Sequence, residues 1–119
     1  MIETDSGEVE VAVEVADTEQ ERTRGLMGRE ELSPDAGMLF LVDEPVLSAF
    51  WMKNTLIPLS IAFWGPDERI FRILDMDPCR AAPCPLYDPR GAWVGALEVN
   101  QGFFQEHDVE VGDAVRLER

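Results

Sequence analysis

The residues whose types and spacing best suit chemistry fall in one short box, Trp51-Met52-Lys53-Asn54-Thr55. Lys53 is the single lysine in a chain with 24 carboxylates, and it stands between an aromatic ring and two hydrogen-bonding side chains. An ammonium framed in this way can hold an anionic or hydroxyl-rich ligand, with Trp51 as a stacking face. The structural explanation is equally physical. Trp51 and Met52 pack, Asn54-Thr55 turn the chain, and Lys53 pairs with a carboxylate such as Glu98, because ion pairs single out a charge as readily as sites do. The candidate ligand-binding set is Trp51, Lys53, Asn54, Thr55 and Glu98, with the structural explanation carrying more weight on sequence alone.

Other chemistry-bearing residues are weaker. Cys79 and Cys84 flank Arg80-Ala81-Ala82-Pro83. A zinc site needs about four ligands and a thiol nucleophile needs a base, and His107 is the one histidine available for either. A local Cys79–Cys84 disulfide is the more natural reading; it would tether a proline-rich loop and favour an oxidising compartment, although two reduced thiols fit the sequence too. Met27, Met38 and Met52 raise soft-metal binding, but they stand among Leu, Phe and Trp and read as core. Asp75-Met76-Asp77 lacks the oxygen-ligand spacing of a calcium loop. No phosphate-cradling glycine loop or serine-nucleophile motif is present. The expectation is no metal, no cofactor and no catalytic residue.

The elements that must position these residues are short. Val9 to Val15 alternates valine with Glu10, Ala12 and Glu14, the pattern of a half-buried strand. Thr18-Glu19-Gln20-Glu21 has capping-box spacing, Glu19–Arg22 and Glu21–Arg24 pairs support the same helix, and Gly28 marks its stop. Met38 to Val42 is apolar on both faces and reads as a central strand, interrupted by Asp43-Glu44-Pro45. Ser48 to Met52 resumes as another. Leu59 to Phe63 and Ile70 to Leu74 form a hairpin across Gly65-Pro66-Asp67-Glu68. Residues 77–91, with Pro78, Pro83, Pro85 and Pro89, read as a long irregular loop. Trp93 to Val99 is a strand with Trp93, Gly95, Leu97 and Val99 on one face. Asn100 caps a helical turn through Phe103 and Phe104 that ends near His107, and Ala114 to Glu118 is the last strand. The fold class is α+β, predominantly β: a small mixed or antiparallel sheet curled into a barrel or sandwich, with one or two short helices. Residues 1–119 form a single domain.

The formal charge is −14, and nine of the ten basic residues are arginine. Such a surface repels phosphate backbones and anionic membranes, so nucleic acid is excluded as a partner. A GC-rich genome and a high-salt habitat explain the composition about equally well. No apolar run reaches the roughly 20 residues needed to cross a bilayer, so this segment does not insert. The N-terminus lacks a secretory pattern, which leaves a cytoplasmic protein or an exported or tethered domain without its leader.

A resemblance now becomes visible. Val13-Glu14-Val15-Ala16, Glu21-Arg22, Gly25-Leu26-Met27, Gly37-Met38-Leu39-Phe40, Trp51-Met52-Lys53-Asn54-Thr55 and Ile57-Pro58-Leu59, followed by Leu97-Glu98-Val99, Gly102 and Gly112-Asp113, resemble the Domain of Unknown Function 192 family (uncharacterised protein family 0127) from about residue 9 to 117. The resemblance implies a small β-rich fold, often exported or anchored, and no established activity. Ser60 stands where the family more usually has aspartate, Asn100-Gln101 where small residues are common, and no leader is seen. The reading that follows is a non-catalytic accessory domain binding a small molecule or a protein partner in a cleft bordered by the Trp51–Thr55 box and the Cys79–Cys84 loop. The alternatives are a small hydrolase-like enzyme using Lys53, Glu98 or His107 on a polar substrate, and a structural envelope-associated module.

Overall fold

In the computed structural model, which describes residues 2–4 and 7–117, the centre is a five-stranded mixed sheet. Its strands are β3 (Ala12–Ala16), β4 (Ala36–Val46), β9 (Trp93–Asn100), β6 (Leu59–Trp64) and β7 (Ile70–Met76), in that spatial order. β3 runs parallel to β4, and the other three pairings are antiparallel. Two small sheets flank it: β1 (Ile2–Thr4) between β10 (Ala114–Val115) and β2 (Gly7–Val9), and the ribbon of β5 (Phe50–Trp51) with β8 (Leu86–Tyr87). The helices are α1 (Glu19–Arg24) and α2 (Phe103–Glu106). The predominantly β class with two short helices is as the sequence implied. The barrel is not formed, because the central sheet ends in the edge strands β3 and β7 and does not close.

Strand alternation divides the core between the two faces of this sheet. One face buries Met38, Phe40, Leu59, Ile61, Phe63 and Trp93, joined by Leu26 and Met52. The other buries Leu39, Trp64, Leu97 and Val99, and Ile2, Val115, Phe103 and Phe104 cover it. Gly95 makes the second face possible: it pairs with Trp64, and a Cβ there would lie 2.3 Å from the indole ring. A glycine in a central strand normally weakens it, and here it marks the close approach of a large neighbour.

Several local expectations change. The Val9–Val15 stretch is two strands, broken at Glu10-Val11, and Val13 and Val15 are 39% and 45% exposed. β3 is an edge strand whose valines line an open groove of about 490 Å³ with Leu39, Trp64 and Leu117, so alternation there does not mean burial. β4 continues through Asp43-Glu44-Pro45; its register with β9 shifts between Leu41 and Val46, which accommodates a proline that has no N–H to give. The same irregularity carries Trp93 to the opposite face from Leu97 and Val99. Residues 77–91 are not wholly irregular, since Leu86 pairs with Trp51. α2 is preceded by Gly102, while the Asn100 amide donates to the Leu32 carbonyl, 2.8 Å away, and to that of Ser33. Glu118 of the expected final strand lies outside the described residues.

α1 forms where the capping box placed it. The Glu21 amide donates to the Thr18 hydroxyl at 3.1 Å, and the Thr18 amide donates back to the Glu21 carboxylate at 3.2 Å. Those bonds hold the Glu21 carboxyl below the usual range, with the Thr18 hydrogen bond the largest cause. Glu21 is engaged by the cap and Arg22 gives an N–H to the Leu41 carbonyl at 2.8 Å, so the expected Glu19–Arg22 and Glu21–Arg24 ion pairs are not formed. The helix stops at Gly25, three residues before the expected Gly28, in a positive-φ conformation (φ 50°) suited to glycine.

Candidate functional site

Glu98 lies in the middle of β9, flanked in register by Met38 of β4 and Ile61 of β6. Leu97 and Val99 point to one face of the sheet, so alternation sends Glu98 to the other, among apolar side chains. It is 4% exposed. No ion pair or hydrogen bond from another described residue reaches its carboxyl, and burial alone pushes its pKa up to about 8. The group is therefore a neutral carboxylic acid at pH 7 and can donate a hydrogen bond.

This carboxyl opens on a cavity of about 410 Å³. One wall is the end of α1 and the turn after it, where Arg22, Arg24, Gly25, Leu26 and Met27 line the space. The opposite wall is Ser48, Ala49, Phe50 and Trp51, and Phe40, Val42, Val46 and Trp93 complete the lining. The aromatic side is braced internally. Phe50 meets Phe40 edge-on at 5.0 Å between ring centroids and Trp93 at 5.4 Å, and the Trp93 indole donates to the Ser48 carbonyl at 3.0 Å. Rings locked by edge-to-face contacts hold their shape without a ligand.

The sequence candidates separate on inspection. Trp51, Thr55 and Glu98 line the cavity; Lys53, Asn54, Cys79 and Cys84 do not. Lys53 is exposed, with its Nζ 5.1 Å from the Trp51 ring centroid, and it makes no pair with Glu98. Asn54 is a backbone pivot. It sits in the left-handed region (φ 58°), its amide donates to the Cys79 carbonyl at 2.9 Å, and its carbonyl accepts from the Gly28 amide at 2.9 Å. The Cys79–Cys84 pair, with sulfurs 2.07 Å apart, belongs to the loop behind this pivot rather than to the cavity rim. The box thus joins the turn after α1 to the loop that carries β8, and sets the position of the Phe50–Trp51 wall. His107 ends α2 with its ring 4.3 Å from that of Phe103 and lines none of this space. Among the described residues, no three His, Cys, Asp or Glu side chains converge as metal ligands.

Reading for a conspicuous charge missed the arginines of α1 and the aromatic walls. Gly25-Leu26-Met27 and Phe40 were visible only as parts of motifs. The chain matches the family model DUF192, described as uncharacterised, over residues 1–117. The chain belongs to the Domain of Unknown Function 192 family. Two solved structures are close to this DUF192 chain in shape. A protein of unknown function from Novosphingobium aromaticivorans DSM 12444 is 34% identical with a TM-score of 0.91, the match covering 98% of this chain and 81% of that one. A candidate transcription regulator from Sinorhizobium meliloti 1021 is 35% identical with a TM-score of 0.86, covering 95% and 87%. No curated protein matches this DUF192 chain significantly. No helix among its described residues is long and apolar enough to cross a membrane.

Proposed function

We propose that this DUF192 chain is a non-catalytic binding domain whose cleft, between the end of α1 and the Phe50–Trp51 wall, takes a small organic molecule. What carries the reading is the Glu98 carboxyl, which is buried, has no partner among the described residues and opens on a cavity. No fully enclosed side-chain oxygen or nitrogen is unpaired among the described residues, so the Glu98 carboxyl keeps access to the cavity, where a ligand can take the hydrogen bonds solvent would otherwise make. The volume, about 410 Å³, lies within the range of small-ligand pockets, and the mix of rings with a few polar groups is typical of them. In this reading the Trp51–Thr55 box supports the wall, with Trp51 and Thr55 as its contacts to the cavity.

A second reading is favoured by the same carboxyl. An acid that ionises near pH 8 can serve as a general acid, which would make the chain a small hydrolase. The binding reading leads because no Cys, His or Lys lines the cavity, and Glu19, the other carboxylate in its lining, is exposed on α1. Transcription regulation, the role suggested in the name of the Sinorhizobium protein, would here have to act through a protein partner, since a net charge of −14 opposes phosphate contacts.

The binding reading is tested by titrating ¹⁵N-labelled protein with hexanamide, a neutral probe of suitable size. Saturable shifts centred on Gly25 to Met27 and Phe50 to Thr55 are expected. Shifts confined to the Val13–Val15 groove, or none with hexanamide and its charged analogues hexanoate and hexylamine, would overturn it. Turnover of 4-nitrophenyl acetate above background that is abolished in Glu98→Gln would favour the enzyme.

A further inference from the structure

The cavity's polar lining is dominated by hydrogen-bond donors, and this bears on the class of ligand. Arg22 and Arg24 both line it from the last turn of α1. Arg22 gives one N–H to the Leu41 carbonyl, which fixes the guanidinium in place and leaves its other donors available. Across the space, the Glu98 carboxyl lies among Met38, Ile61 and aromatic rings, with no hydrogen-bond partner among the described residues. The body of the cavity between these groups is formed by Phe40, Phe50 and Trp93.

We propose that the cleft binds a small organic acid, its carboxylate held by Arg22 and Arg24 and a second acceptor oxygen, or the same carboxylate, hydrogen-bonded by Glu98, with its apolar body against Phe40, Phe50 and Trp93. This rests on the binding reading above and specifies its ligand. Guanidinium groups recognise carboxylates by charge-assisted, often paired hydrogen bonds. Burial is what permits the arrangement inside an acidic protein, because a protonated Glu98 acts as a donor where an ionised one would repel the ligand.

The proposal carries a pH signature. The charged side chains lining the cavity with Glu98 are Glu19, Arg22 and Arg24, all from α1. β4 and β6 place Met38 and Ile61 beside it, the β5 side contributes Trp51 and Thr55, and none of these titrates. None of the charged three shifts Glu98, whose displacement to about 8 comes from burial. Anion affinity therefore holds between about pH 6 and 7 and falls as pH rises through 8, where a cation's affinity would grow instead.

Three probes with one carbon body separate the possibilities: hexanoate, hexylamine and hexanamide, titrated against the intact protein by ¹⁵N NMR at pH 6.5 and pH 9. The expected result is hexanoate tightest by about tenfold or more, the worth of one charge-assisted hydrogen bond. That preference should be lost in Arg24→Gln, a substitution at an exposed position, and weakened at pH 9 in the wild type but not in Glu98→Gln. Hexylamine binding tightest, or the three binding within about twofold, overturns the anion proposal and leaves the cavity reading standing. Absence of cavity shifts with all three overturns both.

Discussion

A carboxyl that must lose its proton to unfolded water but keeps it when buried makes stability depend on pH in a definite sense. Glu98 has a folded pKa near 8, against an ordinary value of 4.5. Between those values the unfolded chain has released the proton and the folded chain has not, so stability falls with rising pH by up to about 1.4 kcal/mol per unit and levels off above 8. Glu98→Gln removes the titration. Urea unfolding of both proteins at pH 5, 6, 7 and 8 should show the variant gaining on the wild type across that series; parallel curves would mean that Glu98 is ionised when folded. Lys53 makes the opposite case. Its ammonium is exposed and lies over the Trp51 ring, an arrangement worth about 0.5–1 kcal/mol, so Lys53→Met should move the melting midpoint only slightly. A collapse of the fold would show that the lysine has a structural partner. At this scale the sequence named both Lys53 and Glu98 and joined them as a pair, whereas the structure sets Lys53 over the Trp51 ring and Glu98 apart from it in β9. A lone lysine among acids is conspicuous in composition, whereas an acid without a partner becomes visible only when the neighbouring strands are known.

What the elements contribute can be tested where the packing is tightest. Thr18→Ala removes the hydroxyl that accepts from the Glu21 amide, leaving only the reciprocal backbone bond of the capping box, and should cost about 1 kcal/mol in urea unfolding. Because the end of α1 is a cavity wall, the same variant should also weaken probe binding, while an exposed substitution such as Gln20→Ala should change neither. Gly95→Ala sets a methyl against Trp64 and should cost roughly 1–3 kcal/mol, with the loss of Trp64 packing read in near-ultraviolet circular dichroism. An unchanged midpoint would mean that the indole can move aside. The start of α1 was legible because its signals are local, the Thr18 cap and the reciprocal Glu21 carboxylate falling within four residues, while its stop came at Gly25 rather than at the expected Gly28. The β5–β8 ribbon was not, because the pairing of Trp51 with Leu86 spans a loop whose prolines read as irregular. Asn100 was misread for a related reason. Asparagine is a good cap, but its amide here bridges to Leu32 and Ser33 on a distant turn, a partner that no local pattern reveals.

For the molecule as a whole, the dominant unbalanced quantity is charge. The net −14 is held within a radius of gyration of 13.3 Å. Its arginines do little to relieve it. Arg29 pairs with Glu14, whose carboxyl is held below its usual range chiefly by that hydrogen bond, but Arg22, Arg69 and Arg72 direct guanidinium groups to the carbonyls of Leu41, Gly112 and Asp88. These three arginines clamp backbone across the fold and do not pair with carboxylates. Self-repulsion of this kind favours the expanded chain and is relieved by screening, since the Debye length falls from about 10 Å at 0.1 M salt to about 3 Å at 1 M. The urea midpoint should therefore rise with sodium chloride between 10 mM and 1 M, by an amount on the order of 1 kcal/mol, the size of one close like-charge contact in water. The form of the rise separates causes. Screening acts mainly below about 0.3 M and then saturates, whereas a general salt effect on apolar burial continues to grow with concentration. A chain adapted to high salt would be unfolded at the dilute end, and one folded in dilute buffer with a midpoint indifferent to salt would show that its carboxylates are too far apart, or too well hydrated, to matter.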